Sequence, residues 1–275
     1  MTTTTLTSPE RAAVPSRRKD ATRPFALVRH SLALAGRSLT KTVRTPEQLI
    51  DVTLQPILFV VMFLYLLGGA VAGSTQEYLQ TLLPALIVMS TVFASIQTGI
   101  NLNDDIKKGI FDRFRSMPIA RSAPLIGSVL GDLIRFVVLI TVQLGFGYAV
   151  GFRIETDPLS ALAACLLVIL FAFCLTWVFV LIGMLAREPG AVQGIGFMAM
   201  FPLTFGTNVL VPTDTLPGWL QAWVDANPVT AVMETARGLM VGGAVAGPVL
   251  ETVLWSAGVL AVFFPLAVAA YRRRA

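Results

Sequence analysis

Residues 158–186 read PLSALAACLLVILFAFCLTWVFVLIGMLA and contain no Asp, Glu, Lys or Arg. A helix needs about 20 apolar residues to cross the hydrocarbon core of a bilayer, so this stretch is long enough to span it. Four further stretches without charged residues occupy 52–76, 78–103, 189–213 and 252–271. A sixth apolar stretch, about 125–151, carries Asp132 and Arg135 near its start. The runs are continuous and do not alternate as in a transmembrane β-barrel, so the sequence predicts an all-α integral membrane protein.

The composition of the whole chain supports this fold class. The chain is 55% hydrophobic and only 13% charged, against roughly 25% charged residues in an average soluble domain. We predict a single six-helix transmembrane domain over residues 46–275. Its spans are expected at about 50–69, 79–100, 125–151, 159–185, 190–211 and 249–270.

The basic residues predict the orientation of these helices. Nine of the 21 Lys and Arg residues precede Ile50, five lie in 101–123, one is Arg187 and three lie at 272–274. With six alternating spans, all of these fall on one side, and only Arg153 and Arg237 fall on the other. The positive-inside rule then places both termini in the cytoplasm. This distribution also explains the net charge of +5 without a nucleic-acid partner.

The N-terminal region is predicted to have two parts. Residues 1–22 are rich in Thr, Ser, Pro and Arg, which is typical of a disordered tail. In 23–45, apolar residues recur every three or four positions, with Arg and Lys outside that stripe. Such a segment is typical of an amphipathic helix in the cytoplasmic membrane interface, where its basic face meets the lipid phosphates.

Residues 212–247, between the fifth and sixth spans, are too apolar for an ordinary loop. Trp219 and Trp223 are one helical turn apart, and Trp favours membrane–water interfaces. Asn227-Pro228 is a typical helix start, and the two glycines at 242–243 are a typical stop. We therefore predict short helices over 216–242, on or dipping into the outer leaflet.

Two charged residues of this outer segment, Glu234 and Arg237, are three positions apart and could form an ion pair. Together with Trp219 and Trp223 they are our candidates for an outer gate or membrane anchor. A plain amphipathic surface helix with no part in transport remains the alternative.

The sequence contains no motif for catalysis or energy conversion. The glycine spacing from Gly68 to Ser74 resembles a P-loop, but Ser74 stands where the phosphate-binding Lys is required. A single histidine, His30, leaves no His-based metal site or catalytic triad. We predict no catalytic residue, no metal site and no cofactor in this chain, so any work that it performs must be driven by another protein.

The charged segment 101–123 is where such a partner could bind. Phe111, Phe114 and Met117 are apolar residues on an otherwise basic stretch that includes Arg113 and Arg115. Aromatic residues, Met and Arg are enriched in protein interfaces. The alternative is a solvated positive loop that only fixes the topology.

Two stretches resemble a known family. GIFDRFRSMPIARS, residues 109–122, looks like the coupling segment of the ABC-2 type permeases, and in particular of the daunorubicin-resistance-type exporters. NPVTAVMETARGL, residues 227–239, resembles the outer segment that precedes the last helix in that family. The two motifs occur in the family's order within six predicted helices, and the likeness covers about residues 25–270.

The resemblance implies a homodimer of this chain with two copies of a separate cytoplasmic ATPase, which would bind ATP and Mg²⁺. The ATPases would act through the coupling segments to expel a hydrophobic or amphipathic small molecule, as in antibiotic resistance and multidrug efflux. It also implies a multi-pass protein of a bacterial plasma membrane. Export of a polysaccharide or lipid-linked glycan, and a membrane scaffold without transport, remain alternatives.

The charged pair inside the third span has two interpretations. Asp132 and Arg135 are three residues apart on one helical face, where they can neutralise each other. Such a pair can be structural, or it can take part in the substrate path or a gate. A proton-coupled transporter is disfavoured because charges inside the spans are nearly confined to this pair.

Overall fold

The computed structural model describes residues 46–71, 74–109, 123–208 and 216–274. Within these ranges the protein consists of helices and contains no strand. The eight helices are α1 (Pro46–Val71), α2 (Thr75–Lys107), α3 (Ala123–Val150), α4 (Pro158–Leu185), α5 (Pro189–Phe205), α6 (Gly218–Ala226), α7 (Pro228–Met240) and α8 (Ala246–Arg274). The predictions for residues 1–22, for the interfacial helix 23–45 and for most of the coupling segment fall outside the described residues.

Local sequence signals start and end several of these helices. The Asp157 carboxylate accepts a hydrogen bond from the Ser160 amide at 3.0 Å, and Pro158 occupies the first position of α4. Asn227 and Pro228 start α7 in the same manner. After Met240, Gly242 and Gly243 adopt φ angles of 107° and 125°, which L side chains rarely adopt. The predicted start and stop of this helix are therefore confirmed.

Helix α2 lies at the centre of the fold. It packs against α1, α3, α4, α5 and α7, while α4 also packs extensively against α8. Most residues of α2 between Tyr78 and Ser95 are buried, and they form the middle of the main hydrophobic core. By contrast, α8 buries few of its side chains and presents many large apolar ones on its surface. This distribution suits a protein whose outer surface meets lipid.

Helices α2 and α4 approach each other closely at two glycines. A Cβ atom added to Gly99 would lie 2.4 Å from the Phe179 carbonyl oxygen, and one added to Gly183 would lie 2.5 Å from the Gly99 carbonyl oxygen. Any side chain at either position would overlap the facing backbone. These glycines set the α2–α4 distance, as small residues do in membrane helix interfaces.

Four described helices contain apolar stretches long enough to cross a membrane: Thr75–Lys107, Val129–Val150, Pro158–Leu185 and Ala246–Tyr271. The predicted all-helical, multi-pass character is confirmed, whereas the count of six spans stays a prediction. Helix α1 contributes a shorter apolar stretch, Leu54–Gly68.

The fifth predicted span, 190–211, is shorter than expected, because α5 ends at Phe205 after 17 residues. The Asn227 side chain explains this end. Its Nδ2 donates to the carbonyl oxygens of Leu203 at 2.8 Å and Gly206 at 3.0 Å, which satisfies acceptors at the end of α5.

Candidate functional site

The first candidate site lies between α2 and α3. Asp132 is buried, and its Oδ1 lies 3.1 Å from Arg135 Nη1, so the ion pair predicted within α3 forms. The other carboxylate oxygen accepts a 2.5 Å hydrogen bond from Thr98 Oγ1 of α2. Arg135 Nη2 in turn donates to the Ala94 carbonyl oxygen of α2. The pair is therefore neutral as a unit and joins the two helices.

A second polar contact between these helices lies further along the same interface. Gln143 Nε2 of α3 donates to Ser90 Oγ of α2 at 3.2 Å, and both residues are buried. Asp132, near the start of α3, contacts Thr98 of α2, whereas Gln143, later in α3, contacts Ser90, which comes earlier in α2. The two helices therefore run antiparallel. Interhelical hydrogen bonds of this kind hold membrane helices together. We call these contacts of Thr98, Asp132, Arg135, Gln143 and Ser90 the α2–α3 clamp.

The α2 half of this clamp was not predicted from the sequence. Thr91, Ser95 and Thr98 recur at helical spacing in an apolar segment, which indicates a polar face of α2 but not the helix that this face meets. Ser95 faces α4, where its hydroxyl donates to the Ala172 carbonyl oxygen at 3.3 Å. Asn103 lies nearer the carboxyl end of α2. Its Nδ2 donates to the Gly183 and Ala186 carbonyl oxygens at 2.9 Å each. Helix α2 thus makes polar contacts with α3 and α4.

The second candidate site is the outer segment, which contains α6 and α7. Trp219 and Trp223 lie one turn apart on α6 with 75% and 44% of their surface exposed, whereas Val224 is buried. The Trp223 indole contacts the end of α5, since a Cβ atom added to Gly206 would lie 2.6 Å from its Nε1. Trp219 extends away from the fold. The Trp223 ring is therefore suited to packing against α5, and the Trp219 ring is suited to contact with a membrane surface.

The two charged residues of α7 do not form the predicted ion pair. In the described part of the chain no nitrogen of Arg237 lies within 4 Å of the Glu234 carboxylate. Instead, Glu234 Oε1 accepts a 3.0 Å hydrogen bond from Asn208 Nδ2, beyond the end of α5. Arg237 Nε and Nη2 are buried and have no hydrogen-bond partner. The reason is geometric, because the carboxylate is directed toward Asn208.

Helix α7 is attached to the rest of the fold at both ends. Asn227 joins its amino end to the end of α5, as described above. At its carboxyl end, Thr156 Oγ1 donates to the Leu239 carbonyl oxygen at 2.5 Å, and the Glu155 amide donates to the Met240 carbonyl oxygen at 3.0 Å. Thr156 and Glu155 belong to the loop between α3 and α4. No sequence pattern predicted this contact between distant parts of the chain.

The predicted coupling residues Phe111, Arg113, Phe114, Arg115 and Met117 lie outside the described residues. The end of α2 that leads to them is charged and exposed. Lys107 Nζ lies 3.5 Å from Glu188 Oε1 in the turn between α4 and α5, and Lys108 pairs with Asp104 at 2.6 Å. Among the described residues, no group of three His, Cys, Asp or Glu side chains could hold a metal ion.

Comparison with known proteins identifies similar chains. The sequence profile of the family described as ABC-2 type transporter matches residues 29–241. The chain is 44% identical over 229 residues to the "Daunorubicin resistance ABC transporter permease protein DrrB1" of Streptomyces coeruleorubidus, covering 83% of this chain and 81% of the relative. It is 28% identical over 274 residues to the "Probable doxorubicin resistance ABC transporter permease protein DrrC" of Mycobacterium tuberculosis, covering 98% of each. A "Putative transport permease ycf38" of Cyanophora paradoxa is 26% identical over 219 residues, covering 78% of this chain and 74% of the relative.

Proposed function

Because the chain belongs to the ABC-2 type transporter family, we propose that it is the membrane-spanning permease of an exporter whose ATP is hydrolysed by a separate protein. It is homologous to the permease subunits of drug-resistance ABC transporters. The observation that carries the proposal is the 44% identity to the daunorubicin-resistance permease, since it extends over 83% of the chain. The proposed cargo is a hydrophobic or amphipathic small molecule of the antibiotic type.

The energy for export enters through the coupling segment 101–123. In this proposal Phe111, Phe114 and Met117 bury apolar surface against the ATPase, and Arg113 and Arg115 pair with acidic groups at its rim. The ATPase binds ATP and Mg²⁺, and this chain binds neither them nor any other cofactor. The position of the segment supports this role, because it connects α2 with α3, and α2 contacts most of the bundle.

Two copies of the chain form the transport unit in this proposal. Large apolar side chains on α1 and α5 are well exposed in the single chain, among them Tyr65, Leu66, Met198 and Phe201. Such surfaces need to be covered by lipid or by a second copy. We further propose that the protein resides in a bacterial plasma membrane with both termini in the cytoplasm.

The test is drug transport by the reconstituted pair of proteins. The chain is expressed with its ATPase in a drug-sensitive bacterium, and ATP-dependent uptake of daunorubicin is measured in inverted membrane vesicles. Uptake should require both proteins and should disappear when the phosphate-binding Lys of the ATPase is replaced. Uptake that is equal in vesicles without this chain would overturn the proposal.

The proposed orientation is tested separately with reporter fusions at the two ends of the chain. Both reporters should give a cytoplasmic signal, because the basic residues cluster on one side of the predicted spans. Signals that differ between the two ends would exclude an even number of spans, and periplasmic signals from both ends would reverse the proposed orientation.

A further inference from the structure

One face of α7 carries three polar residues at helical spacing. Thr230, Glu234 and Arg237 are separated by four and three positions, so their side chains leave the helix on the same side. Asn208 joins them through its hydrogen bond to Glu234. We call these four residues the outer polar cluster.

Arg237 presents a pair of donors that nothing in the fold uses. Its Nε and Nη2 lie on the same edge of the planar guanidinium, and this edge can donate two parallel hydrogen bonds to a pair of acceptor oxygens. Both atoms are buried and have no partner among the described residues. The nearest candidate, the Glu234 carboxylate, is held by Asn208 instead.

Two further members of the cluster also have unused hydrogen-bonding capacity. Thr230 is only 4% exposed, and its Oγ1 has no hydrogen-bond partner. The Oδ1 atom of Asn208 is likewise buried without a donor. Most buried polar atoms in folded proteins are hydrogen-bonded, so several orphaned atoms in one cluster need an explanation.

The electrostatics of the cluster limit what could bind there. Burial lowers the pKa of the Arg237 guanidinium, while the nearby negative charge of Glu234 acts in the opposite direction. Arg237 and Glu234 together carry no net charge. A further anion would bind Arg237 but would be repelled by Glu234, whereas neutral oxygen atoms satisfy the donors without that repulsion.

We propose that the outer polar cluster binds the neutral, oxygen-bearing end of the exported molecule. Two adjacent oxygens of the ligand, such as a hydroxyl beside a carbonyl, accept from Arg237 Nε and Nη2, and the Thr230 hydroxyl supplies a third hydrogen bond. The apolar part of the ligand remains against the apolar core residues of α7. This inference rests on the proposed export function and adds to it the chemistry of one binding site.

The cluster is closed in this structure, so binding requires α7 to shift. Helix α7 is restrained by the hydrogen bonds at its two ends, by the 3.0 Å contact between the Thr235 and Thr252 hydroxyls, and by apolar packing against α2, α4 and α8, so the shift has to be small enough to keep that packing. Unsatisfied buried donors make the closed arrangement less favourable than a fully bonded one. A ligand that satisfies Arg237 only after α7 has moved would therefore favour the open arrangement.

The experiment compares Arg237→Lys and Thr230→Val with a matched control, Arg153→Lys. Arg153 is exposed, and its guanidinium already donates to the Tyr148 and Phe152 carbonyl oxygens, so it has no part in the proposed site. ATP-dependent uptake of daunorubicin, which has hydroxyl groups beside quinone carbonyls, is measured in inverted vesicles containing the complete transporter. Lysine keeps the charge but loses the paired donors, so Arg237→Lys should raise the KM by about tenfold. Thr230→Val should raise it less, and Arg153→Lys should leave it unchanged.

Each result bears on the proposal. If Arg237→Lys and Thr230→Val lower Vmax per inserted protein but leave KM unchanged, the cluster is structural and the inference is wrong. If added anionic phosphatidylglycerol raises the wild-type KM and has no effect on Arg237→Lys, the Arg237 edge binds a lipid phosphate, which also contradicts the inference. Unchanged kinetics in both variants would overturn the inference alone. Absence of uptake by the wild type would overturn the proposed function, and the inference with it.

Discussion

The Thr98 hydroxyl donates a 2.5 Å hydrogen bond to Asp132 Oδ2, while the other oxygen of that carboxylate lies 3.1 Å from Arg135 Nη1. Each oxygen of this buried carboxylate therefore has a partner, one on α2 and one on α3. Paired in this manner, the charges can lie within the membrane at a tolerable cost. Because the predicted coupling segment connects the same two helices, the clamp would make them move together when that segment is displaced.

Removing the carboxylate should destabilise the protein strongly. Asp132→Ala leaves Arg135 buried without its counter-ion, for which we expect a loss of about 3 kcal/mol in the free energy of unfolding. The double variant Asp132→Leu/Arg135→Leu removes both charges and should recover most of that loss. Equilibrium unfolding of the purified protein in detergent micelles measures both.

Transport by the double variant then separates the two interpretations of the pair. If the pair is structural, the double variant should retain ATP-dependent daunorubicin uptake at normal protein levels. A stable double variant that has lost uptake would show that the charges act in the substrate path or in a gate.

The ion pair was predictable because its two members are three residues apart on one helix, whereas their partners on α2 were not. Thr98 is 34 positions away from Asp132, and an apolar helix gives no direct sign of which neighbour its hydroxyls face. The same holds for Asn227. Its role as the cap of α7 was predicted because it depends on neighbouring residues, whereas its hydrogen bonds to the distant Leu203 and Gly206 carbonyl oxygens were not. Sequence periodicity determines the face of a helix on which a residue lies, and tertiary packing determines what that face meets.

The outer segment shows the same limit. Glu234 and Arg237 have the spacing of an ion pair, yet Asn208, 26 positions away, takes the carboxylate. A spacing of three positions only makes such a pair possible, and even where it is exposed the pair contributes about 0.2–0.5 kcal/mol, so the spacing does not decide which partner the carboxylate takes. The helices of this segment could thus be predicted, while the arrangement of its charges required the structure.

The α2–α4 crossing predicts which glycines are essential. Gly99→Ala and Gly183→Ala each place a Cβ atom about 2.5 Å from a backbone oxygen, an overlap that forces the helices apart. We expect each to cost about 1–3 kcal/mol of unfolding free energy. Gly194→Ala is the matched control, since a Cβ atom there meets nothing within 4 Å.

Thermal unfolding in detergent micelles measures this effect. The apparent Tm should fall for Gly99→Ala and Gly183→Ala and should stay constant or rise slightly for Gly194→Ala. Equal Tm values for all three variants would mean that the helices can separate without loss, contrary to the packing described above.

The predicted coupling segment gives a prediction about the ATPase. Phe114→Ala should weaken co-purification of the ATPase more than Arg115→Ala does, because an apolar anchor at an interface centre contributes about 2 kcal/mol or more and a rim charge less. Titration of the purified ATPase onto immobilised permease measures both affinities. Lys108→Ala is a useful control, because Lys108 already pairs with Asp104. Unchanged affinity in both Phe114→Ala and Arg115→Ala would leave the segment as a topology signal only.

The last prediction concerns the two tryptophans of α6. Trp219→Ala/Trp223→Ala should reduce ATP-dependent drug uptake several-fold while membrane insertion stays normal, because the long apolar helices are untouched. The physical reason is that Trp223 packs against the end of α5 at Gly206, whereas Trp219 is free to enter the membrane interface.

The single variants Trp219→Ala and Trp223→Ala, with a control, distinguish contact with α5 from anchoring in the membrane interface. Trp223→Ala alone should account for most of the loss if contact with α5 positions the outer segment, and Trp219→Ala should dominate if anchoring does. Trp255→Ala is the matched control, since Trp255 lies on α8 with the same 44% exposure as Trp223. Uptake is measured as an initial rate in inverted vesicles and divided by the amount of inserted protein. Full uptake by the double variant would exclude a role in gating, because α6 would then act at most as an anchor on the membrane surface.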